Sequence, residues 1–251
     1  MAIEIHDSCA IAALRRAGAS AAATLAHVGA RLTAGISTAQ VDAWVREDTA
    51  RRGGRPSQLG YHGFPAAVCV SPNDVVCHGV PSPKVVLRDG DIVNVDVTTM
   101  LGGYHGDTSM TFAIGTLDAT KAALVEATKA ALQAGIDAVR PGVRLGDIGA
   151  AIEASARAAG YDVVREYCGH GIGREMHLPP QVCHYGRAGT GLRLRAGMAF
   201  TIEPMLTIGR QALVHDDDGW TVRTADGSPS AQAEHTVLVT ADGVEVLTRL
   251  P

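Results

Sequence analysis

The chain has 251 residues, 46% hydrophobic and 19% charged, enough to bury a sizeable core as one large domain or two small ones. A net charge of −4 and a pI near 6.2 give no basic footprint for nucleic acid or acidic lipid, and no apolar run approaches the roughly 18 residues of a membrane span. The start, MAIEIHDSCA, lacks the pattern of a secretory signal, and five scattered cysteines without a Cys-x-x-Cys pair read as reduced thiols of a cytoplasmic protein.

From Asp7, a fitting N-cap, Ile11, Leu14, Gly18, Ala22, Leu25, Val28 and Leu32 recur at helical spacing. After a turn at Ala34-Gly35 a second helix is expected from about Thr38 to Arg52, stopped by Gly53-Gly54. Strands follow at 66–70, 91–98 and 105–114. A third helix lies between Asp118 and Arg140, ended by Pro141-Gly142, and a fourth fits 147–159, closed by Gly160. Further strands fit 163–167, 198–204, 221–224 and 235–239.

This order, two helices then strands, occurs twice. Gly35-Ile36 with Val41 and Val45 matches Gly142-Val143 with Ile148 and Ile152 at an offset of 107. VVCHG (75–79) resembles QVCHY (181–185) at 106, and GDIVNVD and GMAFTIE end in Asp96 and Glu203, again 107 apart. The spacing predicts an α+β fold of two repeated halves, about 1–115 and 116–251, within one domain spanning 1–251. The halves would be related by a pseudo-twofold axis, their strands joined into one antiparallel sheet backed by helices.

The run GDIVNVDVTTMLGGYHGDTS (90–109) poses a charge problem. A turn at Leu101-Gly102 would set Asp96 opposite Asp107, where like charges destabilise, and no Lys or Arg lies between Arg88 and Lys121. Alternation places Ile92, Asn94, Asp96 and Thr98 on one face, with Val93, Val95 and Val97 on the other, taken as the buried side. The carboxylates could be solvated, share a proton, or bind a cation. Glu203 in FTIEPM and Glu234 in AQAEHTVLV sit in equally apolar company, at places equivalent to the two Asp, with DTS (107–109) parallel to EHT (234–236). Burying four bare carboxylates would cost many kcal/mol, so about two divalent cations are expected. GHGIGREMH (169–177) adds His170 as a nitrogen donor. Two Asp, two Glu and one His suit Mn, Fe or Co, with Zn admissible, and the reaction class is metal-assisted hydrolysis.

Taken together, SPNDVVCHGVP, GDIVNVDV, GYHGDTS, REYCGHGIG, FTIEPM and SAQAEHT resemble the methionine aminopeptidases of the bacterial type I form over essentially the whole chain. The resemblance implies a pita-bread fold and removal of the initiator Met from new polypeptides with a small second residue. It implies that Asp96 chelates one metal, that Asp107 and Glu234 bridge both, and that His170 and Glu203 complete the other. A water or hydroxide between the metals would attack the scissile carbonyl. Glu203 would carry the proton, His78 would sit near the scissile nitrogen, and His177 would stabilise the oxyanion.

By the same resemblance Tyr61, His62, Phe64, Cys69, Met176 and Trp220 would wall the methionine pocket, together with His78 and His177. Gln58 stands where Cys is common and Met176 where an aromatic is common, which alters the pocket's shape. Asn73, Val75 and Ser230 correspond to a monovalent-cation site of some relatives. The chain begins almost at the catalytic fold, without a zinc-finger-like or proline-rich extension. A cytoplasmic monomer is expected, acting on nascent polypeptide N-termini, with the ribosome as an open partner and neither nucleic acid nor membrane. The rivals are an Xaa-Pro aminopeptidase or prolidase of the same fold and a non-catalytic binding module.

Overall fold

A computed structural model describes residues 3–209 and 212–249. In the first half α1 (Ser8–Gly29) and α2 (Thr38–Arg51) precede β1 (Arg55–Pro56), β2 (Cys69–Pro72), β3 (Val75–Cys77), β4 (Ile92–Leu101) and β5 (Tyr104–Ala113). In the second half α3 (Ala119–Asp137) and α4 (Leu145–Ala158) precede β6 (Asp162–Val163), β7 (Gly169–Gly171), β8 (Leu178–Val182), β9 (Ala199–Ile202) and β10 (Met205–Thr207). There follow β11 (Leu213–His215), β12 (Val222–Thr224), β13 (Ser230–Gln232), β14 (His235–Val239) and β15 (Val244–Val246).

The helix starts follow from their caps. The Asp7 carboxylate accepts the N–H of Ala10 at 2.8 Å, and Asp118 accepts that of Lys121 at 2.9 Å. The fourth helix begins two residues before the expected Asp147. Asp147 is its third residue and reaches back to the Arg144 N–H at 2.8 Å, so an acid near the start marks the first turn and not its first residue.

The duplication is written in the hydrogen bonds. Gly35 N–H donates to Leu87 O at 2.8 Å and Gly142 N–H to Leu194 O at 2.9 Å, while Ser57 N–H donates to Thr98 O and Val164 N–H to Met205 O, all at 2.9 Å in the second pair. Isolated bridges join Ser37 to Val86 and Arg144 to Arg193. Each pair repeats at the 107-residue offset. Beyond these strands the offset grows: Ile92 pairs with Ala113, but Ala199 pairs with Leu238, 125 positions on. The added length is the excursion through β11 and β12, which pairs with β3 of the first half and replaces a tight turn. By register Glu234 therefore matches Ser109, and the expected equivalence of DTS with EHT is off by two residues.

The expected hairpin register is corrected as well. Leu101 pairs with Tyr104, and the turn is Gly102-Gly103, at φ of 61° and 81°. Both central residues of such a turn need positive φ, which two glycines supply and Leu101 would resist. Asp96 consequently pairs with Ser109, and Asp107 with Thr98. Nor is one face of β4 open to solvent, since Asn94 and Thr98 are buried along with the valines.

The ladders are antiparallel and form four sheets among the described residues, rather than one. The two halves are sewn together at β5. Met110 bridges to Ala233, Glu234 N–H donates to Ser109 O at 2.9 Å, and Thr236 Oγ1 donates to Asp107 O at 2.8 Å. Separate apolar cores lie under each half's helices, and a third, including Leu14, Tyr104, Ile172 and Leu238, joins them. Gly106 lets α1 approach this seam: a Cβ there would lie 2.5 Å from the Ala17 carbonyl carbon. No helix among the described residues is long and apolar enough to cross a membrane.

Candidate metal centre

A cleft of about 710 Å³ opens at the seam. Asp96 and Thr98 reach it from β4, Asp107 from β5, His170 from β7, Glu203 from the residue after β9 and Glu234 from between β13 and β14. All five expected ligands thus meet, and among the described residues none that lines the cleft is Lys or Arg. Asp107, His170 and Glu234 offer donor atoms that lie within 4.8 Å of one another. His170 Nε2 is 3.6 Å from Asp107 Oδ2 and 3.7 Å from Glu203 Oε1, and Asp107 is near enough to Asp96 for its charge to act on that carboxyl. His170 Nδ1 lies 3.1 Å from Gly171 O, which places the ring proton on Nδ1 and turns the Nε2 lone pair toward the acids.

Neutral donors fix these carboxylates. Thr98 Oγ1 donates to Asp107 Oδ1 at 2.7 Å and Thr201 Oγ1 to Glu203 Oε1 at 2.7 Å, while Gln232 Nε2 donates to Glu203 Oε2 at 3.4 Å. Gln58 Nε2 donates to Asp96 Oδ1 at 3.3 Å and to its backbone O at 2.8 Å. Buried His184 accepts the Glu203 N–H through Nε2 at 3.1 Å. These supporting groups were not expected from the sequence, except that Gln58 was marked as a change in pocket shape. The threonines did leave a signal: each lies two residues from an acid, on the same strand face.

Burial is the largest influence on each acid. It lifts Asp107 to about 6 and Glu203 to about 8, and holds Asp96 and Glu234 well above the ordinary carboxylate range. The Asp107 charge adds to the rise at the other three. Burial, then His177, pulls His170 down to about 3, making it a neutral nitrogen donor. Thiols of Cys69 and Cys77 also face the cleft, but burial raises both well above 9 and disfavours thiolates. An oxygen-rich set with one neutral imidazole and no thiolate suits divalent cations of the harder kind.

Beside the acids the wall is apolar. Tyr61, Phe64, Cys69, Met176 and Trp220 line it, with the Phe64 and Trp220 rings edge-to-face at 5.2 Å. Asp218 holds the Trp220 loop by accepting the N–H groups of Trp220 and Thr221 at 2.8 Å each. His62 is the exception: it is exposed, outside the lining, with its ring against Tyr61. A φ of 47° turns its backbone away from the helical path.

His78 and His177 both line the cleft. The His78 ring meets Tyr167 edge-on at 5.3 Å, and His177 Nδ1 lies 2.7 Å from Tyr61 Oη, its ring 4.1 Å from that of His170. Burial lowers both, His177 to about 4. Away from the cleft, Ser230 N–H donates to Asn73 O at 2.9 Å, while Val75 pairs with Arg223 in β3.

Residues 12–241 match metallopeptidase family M24. Methionine aminopeptidase A of Synechocystis sp. is 51% identical over 94% of this chain and 93% of its own length. Methionine aminopeptidase of Escherichia coli is 45% identical over 99% and 94%. Among solved structures, methionine aminopeptidase from Rickettsia prowazekii superposes with a TM-score of 0.97 at 44% identity, covering 99% of this chain and all of that one.

Proposed function

The chain belongs to metallopeptidase family M24, and from that premise we propose that it is a metal-dependent aminopeptidase removing the initiator methionine from new polypeptides with a small second residue. The observation that carries this reading is the meeting of four carboxylates and neutral His170 beside an apolar pocket wide enough for an unbranched side chain. The pita-bread fold and the hydrolase class follow from the same membership.

In this reading two divalent cations (Mn, Fe, Co or Zn) would be held by Asp107 and Glu234 in common, one of them also by Asp96 and the other also by His170 and Glu203. Bound there, the cations supply Lewis acidity and bring the pKa of water toward neutrality. The remaining work falls to side chains. Phe64, Cys69, Met176 and Trp220 take the methionine side chain and exclude water around it. Glu203, held at one oxygen by Thr201 and at the other by Gln232, takes a proton and passes it to the leaving amine. If the Tyr61 hydroxyl donates to His177 Nδ1, the neutral His177 ring keeps its proton on Nε2, where it can donate to the developing oxyanion. His78, which also lines the cleft, is read as the group near the scissile nitrogen.

We further read the chain as one catalytic domain of two halves, monomeric and cytoplasmic, meeting its substrates as nascent N-termini. Asn73, Val75 and Ser230 remain a proposed monovalent-cation site, supported by the Ser230–Asn73 contact. The activity is tested by turnover of Met-Ala-Ser and of an Ala-Pro peptide with added Mn²⁺ or Co²⁺. Release of Met from the first alone supports the reading, whereas cleavage of the second alone would assign the chain to the Xaa-Pro peptidases.

A further inference from the structure

Two of the five cysteines face each other across a strand pair. Gly169 of β7 is the register partner of Val182 of β8, and His170 that of Gln181. One step outward along the same antiparallel ladder, Cys168 comes opposite Cys183. Alternation puts Cys168 and His170 on one face of β7 and Gln181 and Cys183 on the matching face of β8. Cys168 and Gln181 both line the cleft, so this face is the one turned toward it. Directly opposed residues carry Cβ atoms about 4.5–5.5 Å apart, close to the ~3.5–4.5 Å of a disulfide. Both thiols are free and partly accessible, unlike buried Cys69 and Cys77, while exposed Cys9 lies on α1.

We propose that Cys168 and Cys183 form a modification site: a reversible cross-strand disulfide that ties β7 to β8 two residues from His170. The co-reactant is a low-molecular-weight disulfide. One protein thiolate attacks it and forms a mixed disulfide, releasing one small thiolate. The second protein thiolate then attacks the protein sulfur of that bond, closing the Cys168–Cys183 link and releasing the other small thiolate. The two protein thiols lose two protons and two electrons, and the external disulfide is reduced to two thiols. The bond closes a loop that contains His170, Met176 and His177, so it fastens the segment that brings three cleft residues to the site. This reading is independent of the catalytic one, because it concerns thiols and not the metal ligands.

The test equilibrates the full chain with glutathione buffers of increasing oxidised fraction, quenches by alkylation and maps the peptides by mass spectrometry. One linked peptide pair should join Cys168 to Cys183, distinct from any mixed disulfide with glutathione at exposed Cys9, and dithiothreitol should restore all five thiols. In Cys183→Ser the linked pair should vanish, leaving Cys168 as a mixed disulfide with glutathione. Both thiols remaining free in the most oxidising buffer, or a wild-type link from either cysteine to Cys69 or Cys77, would overturn the proposal.

Discussion

Gln58 holds Asp96 by two bonds, with its Nε2 donating to both the backbone and the carboxylate oxygen, while its Oε1 accepts the Thr98 N–H at 3.2 Å. One amide thus fixes the acid at the cleft and the strand beneath it. Groups that orient a metal ligand typically change affinity or activity about 10–100-fold when removed. Gln58→Ala should weaken Mn²⁺ binding by roughly that factor, measured by calorimetry, with the circular dichroism of the fold retained. Unchanged affinity would mean that Asp96 needs no such support.

Asp107 lies 3.6 Å from His170, and its charge acts on Asp96, Glu203 and Glu234 alike. Asp107→Ala should abolish Mn²⁺ binding and Met-Ala-Ser turnover together. Wild-type turnover in this variant would refute a shared ligand at that position.

His78 lines the cleft without approaching a carboxylate in the way His170 does. His78→Ala should lower kcat by about 10²–10⁴, the range of a group acting in proton transfer or orientation, while cation binding stays intact. Loss of the metal would show that its role is misassigned.

The buried acids set a pH dependence for the metal-free protein. Glu203 is raised from 4.5 to about 8, and Asp96 and Glu234 are raised too, so from about pH 7.5 to 8, above the unfolded range of the histidines, the folded chain binds more protons than the unfolded one. Stability from such groups is complete below their unfolded pKa and is lost as pH climbs through the folded value. His170, His177, His184 and His235, lowered to between about 3 and 4, act oppositely: their contribution is lost as pH falls below 6.5. The apoprotein's Tm should therefore decline from pH 7.5 to 8, and Mn²⁺ should raise it most at pH 8, where binding displaces the fewest protons. A Tm that rises across this window without metal would contradict the assignment of the acids as buried neighbours.

Much of this was legible in the residues. Asp7 and Asp118 announced their helices because a cap is a local interaction between a side chain and an N–H three residues on. The 107-residue offset foretold backbone bonds that repeat from Gly35 to Gly142, since duplicated sequences keep duplicated ladders. The four acids and the imidazole stood out because apolar strands seldom carry charge. What failed was register. Reading the turn at Leu101-Gly102 ignored the positive φ that both positions need, and the slip put Asp107 opposite Asp96 instead of Thr98. Their carboxyls meet all the same, by a diagonal contact that pairing alone does not reveal. His62 lies outside the cleft lining at a φ of 47°, a backbone angle that a motif alignment does not carry. The supporting roles of Gln58, Gln232 and His184 depend on contacts between segments 19 to 38 residues apart, which local spacing cannot encode.

The central claim is that acids of both halves crowd together because divalent cations hold them there. It is tested most directly by anomalous diffraction at the manganese edge from crystals grown with Mn²⁺. Two peaks are expected in the cleft, both in contact with Asp107 and Glu234, one also with Asp96 and the other with His170 and Glu203. An empty cleft under saturating Mn²⁺, or peaks that leave Asp107 and Glu234 untouched, would contradict it.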